Sequence, residues 1–185
     1  MAANSTPSDT VCPSTTGALF STWAGTHTSR PTLFYRPRSV AEVQAAVRSA
    51  ARTRGASPLR VVGAGHSPND CAMSSGSLLS LDALARVLHI DAPARRVRVQ
   101  AGIRVSALNS ALDAAGLALD NLGSISDQSL AGMFSMGTHG TGCTKPALHA
   151  CVLEALLVTA SGELLTVSQG ENAGVWVGCV GGWRG

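Results

Sequence analysis

In the stretch Leu59-Arg60-Val61-Val62-Gly63-Ala64-Gly65-His66-Ser67-Pro68-Asn69-Asp70, a short apolar run with the look of a buried strand stops abruptly at a glycine turn. A strand running into Gly-X-Gly invites a dinucleotide-binding reading, and Asp82 stands about 20 residues further on. Pro68, however, takes the place of that fingerprint's third glycine. The residues beyond it (Asn69, Asp70, Ser74, Ser75, Gly76) cannot supply the amphipathic helix on which a pyrophosphate would sit. Gly65-His66-Ser67 also imitates the start of a nucleophile elbow, with Ser67 as the nucleophile. That strained turn needs a small residue where Asn69 stands, and a helix directly afterwards. Both readings fail for want of a helix. What is left is a loop whose successive backbone N–H groups can face an anion such as a diphosphate, or a plain tight turn.

The neighbouring elements build outward from this loop. Leu33 to Tyr35 is a strand candidate closed by Pro37, and Ser39 with Glu42 makes a capping box. Val40, Val43, Val47 and Ala50 recur at helical spacing, with Gly55 where a stop belongs. Leu78 to Leu81 reads as a strand. Val97, Val99 and Ala101 alternate with Arg98 and Gln100 as in a half-buried strand. Val105, Leu108 and Leu112 give a second helix, stopped by Gly116, and Val152–Thr159 with Leu164–Val167 flank Ser161-Gly162 as a hairpin. The order predicts an α/β or α+β fold with two lobes.

A second glycine-rich region runs from Asn121 to Gly142, with at most one short helical turn expected inside it. Its two motifs are "NLGSISDQSLAG" from Asn121 to Gly132 and "GTHGTG" from Gly137 to Gly142. With "GAGHSPND" and the opening "FSTWAGTHTSRP", these resemble the sugar-1,4-lactone oxidases of the vanillyl-alcohol-oxidase-type flavoprotein family. The likeness covers roughly Phe20 to Gln169. It implies an α+β, two-lobed FAD-binding domain of the vanillyl-alcohol-oxidase (PCMH) type over residues 20–170, with FAD between a small mixed sheet and a second, larger one. It also implies an aldonolactone as substrate, dioxygen as acceptor and a place in ascorbate-type biosynthesis. The "ISDQ" stretch, Ile125 to Gln128, favours the lactone group over related alditol or oligosaccharide oxidases.

Carried over by that resemblance, the FAD contacts are Val61, Val62, Gly63, Ala64, Gly65, His66, Ser67, Ser124, Ser129, Gly132, Met136, Gly137, Thr138 and His139. The family's covalent link to the flavin 8α-methyl falls on His66. Such a link needs a neutral imidazole as the nucleophile. Loops 61–67 and 123–142 are expected to face each other across one cleft. Beyond Gln169 the sequence leaves the family pattern: Glu171 to Gly185 reads as a truncated or aberrant tail, with the substrate domain absent and turnover by this chain negligible. No catalytic base is named for that reason.

Composition narrows the alternatives. The chain has 185 residues, 45% hydrophobic and 14% charged, which excludes a disordered chain as a whole. Twenty glycines stand against only three Trp, three Phe and one Tyr, suiting backbone brought close to a ligand. A net charge of +3, with scattered arginines, gives no nucleic-acid stripe. Five widely spaced cysteines without a CxxC pair read as reduced thiols of an intracellular protein. Residues 1–19 are expected to be a flexible leader without signal or transit features, and no apolar run is long enough to span a membrane; the resemblance leaves mitochondrial membrane association open. His139, Cys143, His149 and Cys151 lack the spacing of a zinc site, so no metal is assigned. Asp70 and Asp127 read as turn or cap residues, and Trp176 and Trp183 receive no role.

Overall fold

The structure, a computed structural model, describes residues 10–52 and 59–181. Gly55, the expected helix stop, and Trp183 lie outside the described residues. The first lobe holds β1 (Ser14–Thr15), β2 (Phe20–Ser21), β3 (Thr28–Ser29), β4 (Leu33–Tyr35), α1 (Val40–Arg52), β5 (Leu59–Val62) and β6 (Ser77–Ser80). The second holds β7 (Val87–Asp91), β8 (Arg96–Val99), α2 (Val105–Asp113) and α3 (Leu130–Ser135). After a 3-10 turn at Leu148–Cys151 follow β9 (Glu154–Val158), β10 (Leu164–Ser168) and α4 (Ala173–Gly181).

The first lobe is a mixed sheet in the order β1-β4-β6-β5, with β4 and β5 parallel to β6 and β1 antiparallel to β4. The inner strand β6 is buried along its whole length, as a parallel strand covered on both faces should be. Its successive residues serve opposite faces. Leu79 packs with Tyr35, Cys12 and Ala46 of α1, whereas Leu78 packs with Phe34 and Val62. Burial pushes the Cys12 thiol up to about 11, reinforced by the Glu42 carboxylate, so it is a packing group rather than a nucleophile. At the start of α1, Ser39 Oγ accepts from the Glu42 N–H (3.2 Å), but the Glu42 carboxylate takes the Arg38 N–H (2.7 Å). The capping box therefore closes one residue early.

Three expectations change here. Strand β5 is not buried: it is the sheet's edge, with β6 as its single neighbour, and Val61 is 60% exposed. Residues 10–19, assigned to a leader, contribute the buried Cys12 and the strand β1. The larger second sheet is absent among the described residues, where β7–β8 and β9–β10 are separate two-stranded hairpins. An ion pair between Arg98 of β8 and Glu154 of β9 (3.5 Å) joins them instead of a shared ladder.

The second lobe packs Ile103, Leu108 and Leu112 against Val87, Val97 and Val99, with Val105, Met133 and Leu148 adjoining. Gly162, at φ 81°, turns the β9–β10 hairpin, and its carbonyl accepts from Gln44 Nε2 (2.8 Å) and Arg48 Nη1 (3.0 Å) of α1. The tail folds back as α4 despite its glycines, burying Trp176 against Phe134 with ring centroids 6.3 Å apart. Packing of one large ring outweighs poor helix propensity there.

Candidate cofactor site

The chain leaves β5 into residues 63–67, and these lie opposite the start of α3 across a cavity of about 360 Å³. That volume falls within the roughly 300–1,000 Å³ of small-molecule sites. Residues 61–67 line it together with Ser129, Gly132 and Met136. Ser124, Gly137, Thr138 and His139 do not line it. Thr138 and His139 belong to a separate knot, in which a Cβ on Gly123 would stand 2.7 Å from Thr138 Cγ2 and one on Gly140 would overlap Asn121. Leu148 N–H donates to the Thr138 carbonyl there (3.1 Å), and Lys145 pairs with Asp120 (2.6 Å).

Close backbone approach explains the glycines on the cavity. A Cβ on Gly63 would sit 2.5 Å from Ser129 Oγ and 3.8 Å from Gly132 Cα, so the two loops meet edge to edge. Gly65 has φ 74°, and its missing Cβ points to the other side, 3.1 Å from the Ser21 carbonyl. Gly102, on the segment after β8, is packed directly on the Leu81 carbonyl. Ser129 caps α3 by accepting from the Gly132 N–H (3.3 Å), and Leu130 and Ala131 donate to the carbonyls of Ile103 and Ala101 (both 2.9 Å).

Hydrogen bonding distinguishes residues 64–67 from the segment that closes α3. The backbone N–H groups of Ala64, Gly65, His66 and Ser67 find no acceptor among the described residues. Those of Met136, Gly137 and Thr138 already donate to Gly132, Phe134 and Met133. The first loop thus offers a row of free donors beside the cavity, whereas in the second the N–H groups of Met136 to Thr138 are spent on the end of α3. Nδ1 of His66 and Oε1 of Gln128 are shut from solvent without a partner among the described residues, and both residues line the cavity. Buried polar atoms of this kind call for a ligand or water to complete them. Asp82 also lines the cavity and pairs with Arg104 (3.1 Å). Phe20, Met133 and Met136 add an apolar wall.

Sequence reasoning missed Gly102, Asp82, Gln128 and Phe20 as cavity residues. A signal existed for Gly102: Ala101-Gly102 follows an alternating strand, as Gly63 follows β5. His139, Cys143, His149 and Cys151 do not gather into a metal site, and no group of three or more potential ligands does so among the described residues. No helix among the described residues is long and apolar enough to cross a membrane.

Such a cavity, with a free-amide loop on one wall and an apolar wall beside it, suits a phosphorylated aromatic cofactor. The chain belongs to the FAD binding domain family, which it matches over residues 31–168. It is 45% identical over 155 residues to D-arabinono-1,4-lactone oxidase of Yarrowia lipolytica, an alignment covering 82% of this chain and 29% of that protein. It is 38% identical over 171 residues to L-gulonolactone oxidase of Mus musculus, covering 89% of this chain and 38% of that one. Among solved structures, 6-hydroxy-D-nicotine oxidase of Arthrobacter nicotinovorans superposes with a TM-score of 0.78 at 26% identity, covering 89% of this chain and 38% of the other. The two-lobed α+β fold is therefore that of the vanillyl-alcohol-oxidase-type flavoproteins. The chain spans between 29% and 38% of the length of these curated relatives.

Proposed function

We propose that this chain is the FAD-holding part of an aldonolactone oxidase, converting D-arabinono-1,4-lactone and dioxygen to dehydro-D-arabinono-1,4-lactone and hydrogen peroxide. The observation that carries the cofactor reading is the run of free N–H groups from Ala64 to Ser67 beside the cavity. The names of the Yarrowia lipolytica and Mus musculus relatives support the substrate class. FAD, when bound, supplies the redox chemistry, accepting hydride from the lactone carbon that bears the 2-hydroxyl and passing electrons to dioxygen.

The chain's own residues bind and orient. Consecutive amide dipoles in a concave turn hold a diphosphate without a Lys or Arg. Gly63 lets that turn close on Ser129, and Phe20, Met133 and Met136 supply apolar surface for a flat ring system. His66, which lines the cavity, is the residue for a covalent link to the flavin 8α-methyl.

Intact-mass measurement under denaturing conditions, after expression with FAD present, tests this reading. Wild-type chain is expected to carry one FAD less two hydrogens. His66→Ala should carry none, yet still bind FAD reversibly. A wild-type chain that takes up no FAD in either form overturns the cofactor reading, and purely reversible binding removes the His66 link. For the FAD-loaded full-length protein, peroxide release from the lactone in preference to an alditol supports the substrate class. The opposite preference transfers it to the alditol oxidases.

A further inference from the structure

Trp23 is 75% exposed, an unusual setting for the side chain with most to gain from burial. Its surroundings are nonetheless ordered around the glycine loop. The turn joining β2 to β3 is closed by Thr22 N–H to the His27 carbonyl (3.0 Å) and by Gly25 N–H to the Thr22 carbonyl (2.9 Å). From that turn, Trp23 N–H donates to the Gly65 carbonyl (2.8 Å) and Thr26 Oγ1 to the Pro68 carbonyl (3.3 Å). Those two bonds bracket His66. Between them the indole lies on the imidazole, with ring centroids 5.7 Å apart and planes inclined by 33°.

Histidine rings that perform chemistry are ordinarily oriented by a hydrogen bond to one ring nitrogen. His66 has none: its side chain makes no hydrogen bond among the described residues, and its Nδ1 is buried. The indole is the ring contact left to set the imidazole's rotation. We propose that Trp23 is a positioning residue, holding the His66 imidazole in the orientation needed for attachment to the flavin. This rests on the FAD reading above, and it explains why a large ring stays at the surface: its partner is the functional histidine rather than the core.

Full-length Trp23→Ala and Trp23→Phe proteins test it, and both variants keep the backbone bond to Gly65. Two readouts apply. The first needs no cofactor: the His66 ring-proton resonance should lose its ring-current shift in Trp23→Ala and keep part of it in Trp23→Phe. The second is the rate of covalent FAD incorporation by intact mass. It should fall about tenfold in Trp23→Ala, the upper effect of one aromatic pair, and recover to within about threefold in Trp23→Phe. Reversible FAD affinity should stay within about threefold for both variants. An unmoved His66 resonance in Trp23→Ala, or incorporation at the wild-type rate, overturns the proposal. If wild-type protein never attaches FAD, the covalent reading fails, and the resonance alone decides whether Trp23 orients His66.

Discussion

Gly65→Val is expected to strip the protein of FAD, with affinity falling at least 100-fold, about 2.7 kcal/mol. Two effects add. The backbone at φ 74° is one that a β-branched residue enters at a cost of about 1–3 kcal/mol. The new Cβ would also stand 3.1 Å from the Ser21 carbonyl and 3.4 Å from Thr22 Cα, leaving its methyl groups no room beside the β2–β3 turn. The loop must move to relieve both, and the N–H groups of Ala64 to Ser67 move with it. Flavin-fluorescence titration reads the loss; a variant as yellow as wild type would contradict it. The mechanism differs from a side chain filling the diphosphate space, because the missing Cβ points at the hairpin behind the loop.

Gly102→Ala should act on the fold itself. A Cβ there would overlap the Leu81 carbonyl, and Leu81 C and Leu84 O lie at 2.5 and 2.9 Å. All three are backbone atoms in a turn held by Gly102 N–H to Leu84 O (2.9 Å) and Leu84 N–H to Leu81 O (2.7 Å), so no flexible side chain can yield. Overpacking against backbone costs about 3 kcal/mol, which lowers Tm by about 6–12 °C in a chain of this size. Gly170→Ala, with open space at its Cβ, should change stability by no more than about 0.5 kcal/mol. Thermal and urea unfolding of the pair checks the contrast, and equal Tm values would contradict it.

Periodicity found the elements whose apolar residues obey one rule throughout. Val105, Leu108 and Leu112 bury one face of α2, and Gly116, at φ 69°, ends the turn after it. Strand β7 escaped because a register shift between Val87 and His89 breaks its alternation. The turn at Leu148–Cys151 escaped because no side chain caps it. β5 was misjudged because an apolar composition does not distinguish an inner strand from an edge. In the cavity, the glycines were legible, since a strand ending in Gly-X-Gly has few uses. The roles of Gly102, Asp82 and Trp23 were not, because each depends on a neighbour 18 to 43 residues away that only the folded backbone brings near.

A paired titration of the purified chain with FAD and with riboflavin, which carries the same ring system without the diphosphate and the adenosine, tests whether binding depends on the half of the cofactor assigned to the N–H groups of Ala64 to Ser67. FAD should bind at least 100-fold more tightly than riboflavin, a difference of about 2.7 kcal/mol. Equal affinities for the two would contradict a diphosphate cradle at residues 64–67.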